Sequence, residues 1–292
     1  DQKNILKKSK NFLKEASFNN LDIAYNPNYF LSSWSESIGY LNIKNFFNKK
    51  IPIFFKNKII FKEFFSINKD FLIKEKNLID FDYTDLVITY FFPENLKKDG
   101  TYDDKYFSTN SKSIKKVLWI LIPLSKNIKN RKTKKNVIIL KRKNNNIFKN
   151  LFFTLLMFFQ SFVMSYGFRN IEKIKFKNTS FSESLSNIIL DLIKNRKIKK
   201  IFFPYEAQPH QHFFTNKIKK ENNKIRIIGY MHTVIPPLPL DYIKRDGHPD
   251  KVLVNGIAQK NILCEKLGWS KKEIKNINSL RYKKKINYNF EN

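Results

Sequence analysis

Residues Pro204 to Gly256 hold the side chains best suited to chemistry. All four histidines of the chain fall between His210 and His248, and six of its ten prolines fall between Pro204 and Pro249. Within Phe203-Pro204-Tyr205-Glu206-Ala207-Gln208-Pro209-His210, Pro204 stops a strand. Pro209 suits the first turn of a helix, where its missing N–H costs nothing. Glu206 is thereby placed in a strand-to-helix turn, near the positive end of the helix dipole, which favours an ionised carboxylate. Such a group can act as a general base toward a hydroxyl; it can equally serve only as a helix cap. Gln208, His210 and His212 crowd the same turn, which weights the reading toward chemistry. A metal held by His210 and His212 is disfavoured, because an i, i+2 pair diverges on a helix.

Two further elements follow. Gly229-Tyr230-Met231-His232-Thr233 ends a strand and leads into Pro236-Pro237-Leu238-Pro239. In a parallel sheet His232 faces the same crevice as Glu206, where it can bind a sugar hydroxyl, pair with Glu206 or meet a phosphate. Thr233 stands beside it as a binding candidate. The proline loop is stiff and apolar, suited to a preformed wall or to a plain crossover. The last element is Arg245-Asp246-Gly247-His248-Pro249-Asp250, before Lys251-Val252-Leu253-Val254-Asn255-Gly256. Arg245 suits a phosphate and Asp246 a sugar hydroxyl, with His248 beside them, although Asp-Gly turn chemistry alone explains much of this hexapeptide.

These residues need a scaffold that brings strand ends together. From residue 84 onward, short apolar runs alternate with helical stretches: Leu86–Phe92, Val117–Leu124, Val137–Leu140, Ile171–Phe176, Ile201–Pro204, Ile225–Met231 and Val252–Val254 as strands, Glu183–Asn195, Pro209–Asn222 and Ile257–Leu267 as helices. That alternation predicts an α/β, Rossmann-like domain with a mostly parallel sheet flanked by helices over residues 85–280. Ligands of such sheets bind beyond the carboxyl ends of the strands. Residues 1–84 read as a mainly helical or irregular N-terminal segment packed on that domain, with helical spacing over Tyr29–Phe47 and a strand pair or connection over Ile51–Phe61. Residues 281–292 read as the start of a linker. The run Leu151–Phe168 is interrupted by Thr154, Gln160, Ser161 and Ser165 and falls short of a membrane span, so a buried helix is expected.

Composition narrows the partners. Lys and Arg number 56 against 25 Asp and Glu, a net charge of +31, yet seven of those 56 are Arg. Arginine is the residue that base and phosphate recognition favours, so the charge argues against nucleic acid. It fits peripheral attraction to an anionic membrane surface on its cytoplasmic side. A single cysteine, Cys264, allows no internal disulfide and points to a reducing compartment. The chain begins at Asp1 without a visible signal peptide and reads as a fragment or processed piece. A Gly-rich dinucleotide loop, a P-loop and a nucleophile elbow are lacking. Asp103-Asp104 does not have the spacing of an Asp-x-Asp metal motif.

The series Tyr205-Glu206-Ala207-Gln208-Pro209, Gly229-Tyr230-Met231-His232, Pro249-Asp250 with Val252-Leu253-Val254-Asn255-Gly256, and Ser279-Leu280-Arg281-Tyr282 resembles GT-B-type glycosyltransferases of bacterial surface-carbohydrate biosynthesis. Thr89-Tyr90-Phe91-Phe92 resembles a segment that ends an early strand in them, and the likeness covers roughly residues 85–282. It implies a transferase of two Rossmann-like domains, with this chain as the acceptor-side half and the donor-binding half missing beyond Asn292. The implied substrates are a nucleotide-sugar donor and a surface-polysaccharide or lipid-linked glycan acceptor, with no tightly bound cofactor and no metal. Glu206 or His232 would then deprotonate the acceptor, while Gln208, His210, Thr233, Arg245, Asp246 and His248 bind substrate. The alternative is a non-catalytic basic module that binds a membrane surface or a glycan. Neither the sugar moved nor the oligomeric state follows from the sequence.

Overall fold

Strands that read as near-continuous apolar runs are buried on both faces, and the sheet they build sets the whole architecture. The computed structural model describes Lys7 and residues 70–72, 82–114, 116–123, 132–143, 180–194, 196–235 and 240–280. Its main sheet holds seven strands: β1 (Asp85–Phe91), β2 (Val117–Pro123), β3 (Val137–Ile139), β4 (Lys200–Pro204), β5 (Arg226–Met231), β6 (Lys251–Val254) and β7 (Ile274–Asn276). Every neighbouring pair is parallel. Their spatial order is β7-β6-β5-β4-β1-β2-β3. The chain winds one way from β1 to β3 and the other way from β4 to β7, so the order reverses between β1 and β4. Such a switch point is where open α/β sheets place their ligands.

Alternation along the strands divides the core in two. Leu86, Ile88 and Tyr90 of β1, with Leu118, Ile120 and Ile122 of β2, bury on one face. Val87, Phe91, Val117, Trp119 and Leu121 bury on the other. The first face is covered by α1 (Ser180–Lys194) and α2 (Pro209–Glu221), which pack on each other. Leu185, Ile189, Leu192 and Ile193 supply the stripe that α1 turns inward, at the i, i+4, i+7, i+8 spacing of an amphipathic helix. The second face is closed by the segment after β1, whose Leu96 and Tyr102 join its core. A short hairpin, Asp103–Asp104 against Thr109–Asn110, shapes that segment. Asp70–Leu72 and Lys141–Lys143 form a separate antiparallel pair.

The expected α/β class and parallel sheet are observed, and the expected strands that fall within the described residues lie within about a residue of the observed ones. The edge strand β7 was not expected, because Ile274 is its one buried residue. The run expected as one helix, Ile257–Leu267, is instead α3 (Ile257–Asn261) widening into a π turn over Ile262–Lys266. The expected elements Tyr29–Phe47, Ile51–Phe61, Leu151–Phe168 and Ile171–Phe176, the proline loop Pro236–Pro239 and the stretch 281–292 lie outside the described residues. Among the described residues, no helix is long and apolar enough to cross a membrane.

β4 and β5 approach each other unusually closely through Gly229. A Cβ at that position would sit 2.7 Å from Cβ and 2.9 Å from Cγ of Tyr205, and 3.2 Å from Cγ of Pro249. Tyr205 is fully buried, so it has little room to yield. Gly229→Ala is expected to destabilise the domain by about 1–3 kcal/mol through overpacking, read as a lower urea midpoint. An unchanged midpoint would show that the Tyr205 ring can step aside.

Candidate active site

The carboxyl ends of β4 and β5 carry Glu206 and His232. Pro204 pairs with Tyr230 across these strands, so Glu206 and His232 each lie two residues beyond a matched position. Their side chains meet: His232 Nε2 is 3.2 Å from Glu206 Oε1, with 3% and 12% of the two side chains exposed. A carboxylate only accepts, so Nε2 carries the proton and donates. The Nδ1 atom is buried and has no hydrogen-bond partner among the described residues. Gln208 Nε2 donates to the other carboxylate oxygen, Oε2, at 2.6 Å. Glu206 therefore holds two donors, one on each oxygen.

The turn that presents Glu206 is built by Gln211. Its Oε1 accepts from the amides of Glu206 at 3.0 Å and Gln208 at 3.2 Å, and its Nε2 donates to the Pro204 carbonyl at 2.7 Å. The amides at the start of α2 are thus satisfied by a neutral amide side chain, and the Glu206 carboxylate is left for other work. Ala207, between Glu206 and Gln208, sits at φ 53°, the left-handed region that costs a residue with a Cβ about 1–2 kcal/mol. His212 Nε2 donates to the Ala207 carbonyl at 3.0 Å and helps hold that conformation. Strain of this kind persists where surrounding bonds over-determine the backbone.

Three tyrosines surround the pair. The Tyr106 ring meets that of His232 nearly edge-on, with centroids 4.4 Å apart, and touches that of Tyr90 at 6.1 Å. Tyr106 is positioned by Asp104, whose Oδ1 accepts from the amides of Tyr106 at 2.8 Å and Phe107 at 2.7 Å, while Oδ2 accepts from the Thr89 hydroxyl at 2.7 Å. Burial raises the Asp104 carboxyl above its ordinary range, against the lowering pull of these hydrogen bonds and of nearby His232. Tyr242 bonds the Thr233 side chain. Burial first, then the Glu206 charge, pushes its phenol far up. Tyr90 is pushed up in the same way, by burial and then by Glu206 and Tyr106.

The other expected site residues occupy distinct places. Arg245 is buried, and its Nη1 donates to the carbonyls of Asp241 at 3.2 Å and Ile243 at 2.9 Å. Asp246 is exposed on the turn. His248 lies in an aromatic cluster, its Nδ1 2.5 Å from the Tyr205 hydroxyl and its ring 5.1 Å from that of Trp269. The His212 ring lies tilted against it, with centroids 4.3 Å apart, and His210 is buried on α2. Thus the fold brings Glu206, Gln208 and His232 into direct contact, with Thr233 next to them through Tyr242. His210, Arg245 and His248 are buried in the packing around the turn. Among the described residues, no group of three or more His, Cys, Asp or Glu side chains is arranged to hold a metal. Asp250 bonds the Ile227 amide at 2.7 Å and Lys219 at 2.6 Å, so it fixes β6 to β5 at the opposite edge. Tyr90, Asp104, Tyr106, Gln211 and Tyr242 were not among the expected site residues. Tyr90 alone carried a signal, as part of Thr89-Tyr90-Phe91-Phe92, the segment that resembles the end of an early strand in the transferases.

Burial depresses the imidazoles of His210, His212 and His248. His210 falls to about 3, and Arg245 adds to burial at the other two. These rings bind protons near pH 6.5 once the chain unfolds, so below that pH the unfolded state holds more protons and stability falls as pH falls. Asp104 acts oppositely. Its raised carboxyl adds stability at low pH that is lost as pH rises past the unfolded value near 3.9. Stability is expected to be level above about pH 7. Between pH 6.5 and 5 it should fall with a slope of one to three protons, about 1.4 kcal/mol per proton and pH unit. Urea midpoints at pH 7.5, 6 and 5 read this directly; a constant midpoint would mean that the rings titrate freely in the fold.

No protein-family model matches the chain, and no curated protein matches it. Among solved structures it is similar to the crystal structure of a glycosyltransferase from Rickettsia africae ESF-5, at 14% identity and a TM-score of 0.38. That likeness covers 68% of this chain and 43% of the other, so it spans less than half of that protein.

Proposed function

We propose that this chain is the acceptor-side domain of a glycosyltransferase. It would move a sugar from a nucleotide-sugar donor to a hydroxyl of a surface-polysaccharide or lipid-linked glycan. The observation that carries the reading is the Glu206–His232 pair at the carboxyl ends of β4 and β5, beside the point where strand order reverses. The resemblance of Tyr205–Pro209, Gly229–His232 and Pro249–Gly256 to surface-carbohydrate transferases supports the choice of reaction.

In this proposal the pair works as one base. Glu206 is the more exposed member, so its carboxylate meets the acceptor hydroxyl and takes the proton as the oxygen attacks the anomeric carbon, while the bond from that carbon to the donor's phosphate oxygen breaks and the nucleotide leaves with its electron pair. His232 keeps its Nε2 proton on the carboxylate and fixes its orientation. Gln208 holds the second oxygen. Such positioned proton transfer contributes about 10²–10⁴-fold to rate. The carboxylates nearest the site already have partners: Glu206 takes two side-chain donors and Asp104 takes a hydroxyl and two amides. Transfer without a metal ion is accordingly part of the proposal, as is the location at the cytoplasmic face of a membrane.

Glu206→Gln and His232→Ala, made in the full-length gene product, are each expected to lower turnover at least 100-fold while circular dichroism stays unchanged. The assay is release of nucleotide from a panel of UDP-, GDP- and dTDP-sugars with cell-envelope glycan as acceptor. Turnover should also survive EDTA. Full activity in either variant would remove the pair from the reaction.

A further inference from the structure

We propose that Tyr90 is a ligand-binding residue of this site, its hydroxyl donating to an oxygen of the polyhydroxylated molecule on which Glu206 acts; this rests on the function proposed above. Tyr90 is the penultimate residue of β1, at its carboxyl end, on one of the two strands that flank the switch point. It is 8% exposed, and its Oη has no hydrogen-bond partner among the described residues. Buried hydroxyls are as a rule bonded, and one left unmade weakens the fold.

The environment of Tyr90 sharpens this. Its backbone is fixed, since its carbonyl accepts from the Tyr102 hydroxyl at 2.8 Å and its strand is paired along its length with β2. Tyr242, the other phenol under the influence of Glu206, has a partner in Thr233. Of these two tyrosines, then, one is committed within the protein and one is not. His232 Nδ1 is the second buried polar atom here without a partner among the described residues. The Tyr106 ring touches the rings of both Tyr90 and His232. It is only half-buried, so in this proposal it is the ring past which a ligand oxygen would reach them. A donor on β1 and an acceptor on the β5 exit, flanking a carboxylate on the β4 exit, suit vicinal hydroxyls, each of which both donates and accepts.

Tyr90→Phe removes one oxygen and keeps the ring. In the full 292-residue chain it is expected to leave the melting temperature unchanged or raised, because the atom lost has no partner to lose. Binding of monosaccharide probes should weaken about tenfold. The probes are N-acetylglucosamine, galactose and rhamnose, followed by saturation-transfer NMR, with Glu206→Gln as comparator. Unweakened binding to Tyr90→Phe, while Glu206→Gln loses it, would overturn the role of Tyr90 and leave the Glu206–His232 reading standing. A lower melting temperature would overturn it too, by revealing a partner within the fold. Absence of binding to the wild-type chain would bring down the underlying reading and this proposal together.

Discussion

A carboxylate taken out of water must be repaid with hydrogen bonds and an opposing charge or dipole, and the carboxyl edge of this sheet is arranged around that requirement at Glu206. Its two oxygens are taken by His232 and Gln208. The Gln211 amide matters just as much, because it satisfies the turn amides that would otherwise draw the carboxylate into capping α2. An acidic side chain at such a turn commonly ends as a cap. Here the capping work falls to a neutral residue three positions beyond Gln208, and the charge is directed sideways into the neighbouring strand end. The left-handed backbone of Ala207 follows from the same arrangement. Turning the chain that sharply lets position 206 face β5 while position 209 begins the helix.

How much of this could be read from the chain alone depended on whether the signal was local. β1, β2, β4, β5 and β6 are short apolar runs closed by proline or turn residues, and buried parallel strands are required to look that way. Parallel pairing then fixes the rest: β4 and β5 run at a constant offset, Lys200 against Arg226 through Pro204 against Tyr230, and this offset carries forward to Glu206 and His232. β7 was illegible because an edge strand of three residues with one buried side chain has no periodicity to show. Asp104 was illegible for a different reason. In sequence it is one of two acids in a polar turn region, and its bonds to Thr89 and to the amides of Tyr106 and Phe107 exist only after the segment folds back over β1. Arg245 read as an anion binder because free arginines bind phosphates. In the fold its Nη1 donates to the carbonyls of Asp241 and Ile243 in its own loop.

Among the described residues, three basic side chains stand at the edge of the sheet opposite Glu206 and His232. Lys200, Arg226 and Lys251 open three adjacent strands and are all exposed at the amino edge. The groups nearest Glu206 are an amide, an imidazole and phenols.

The neutrality of the three other histidines serves the same end. His212 donates to the carbonyl of Ala207, one residue from the carboxylate, and its ring lies tilted against that of His248. Were either ring to become an imidazolium, its charge would bear on the turn that holds Glu206. Burial prevents this, and Arg245 reinforces it by adding a fixed positive charge next to both rings. Arg245 therefore adds to burial in holding these neighbouring rings neutral. With those rings uncharged, His232 is the imidazole that pairs with Glu206.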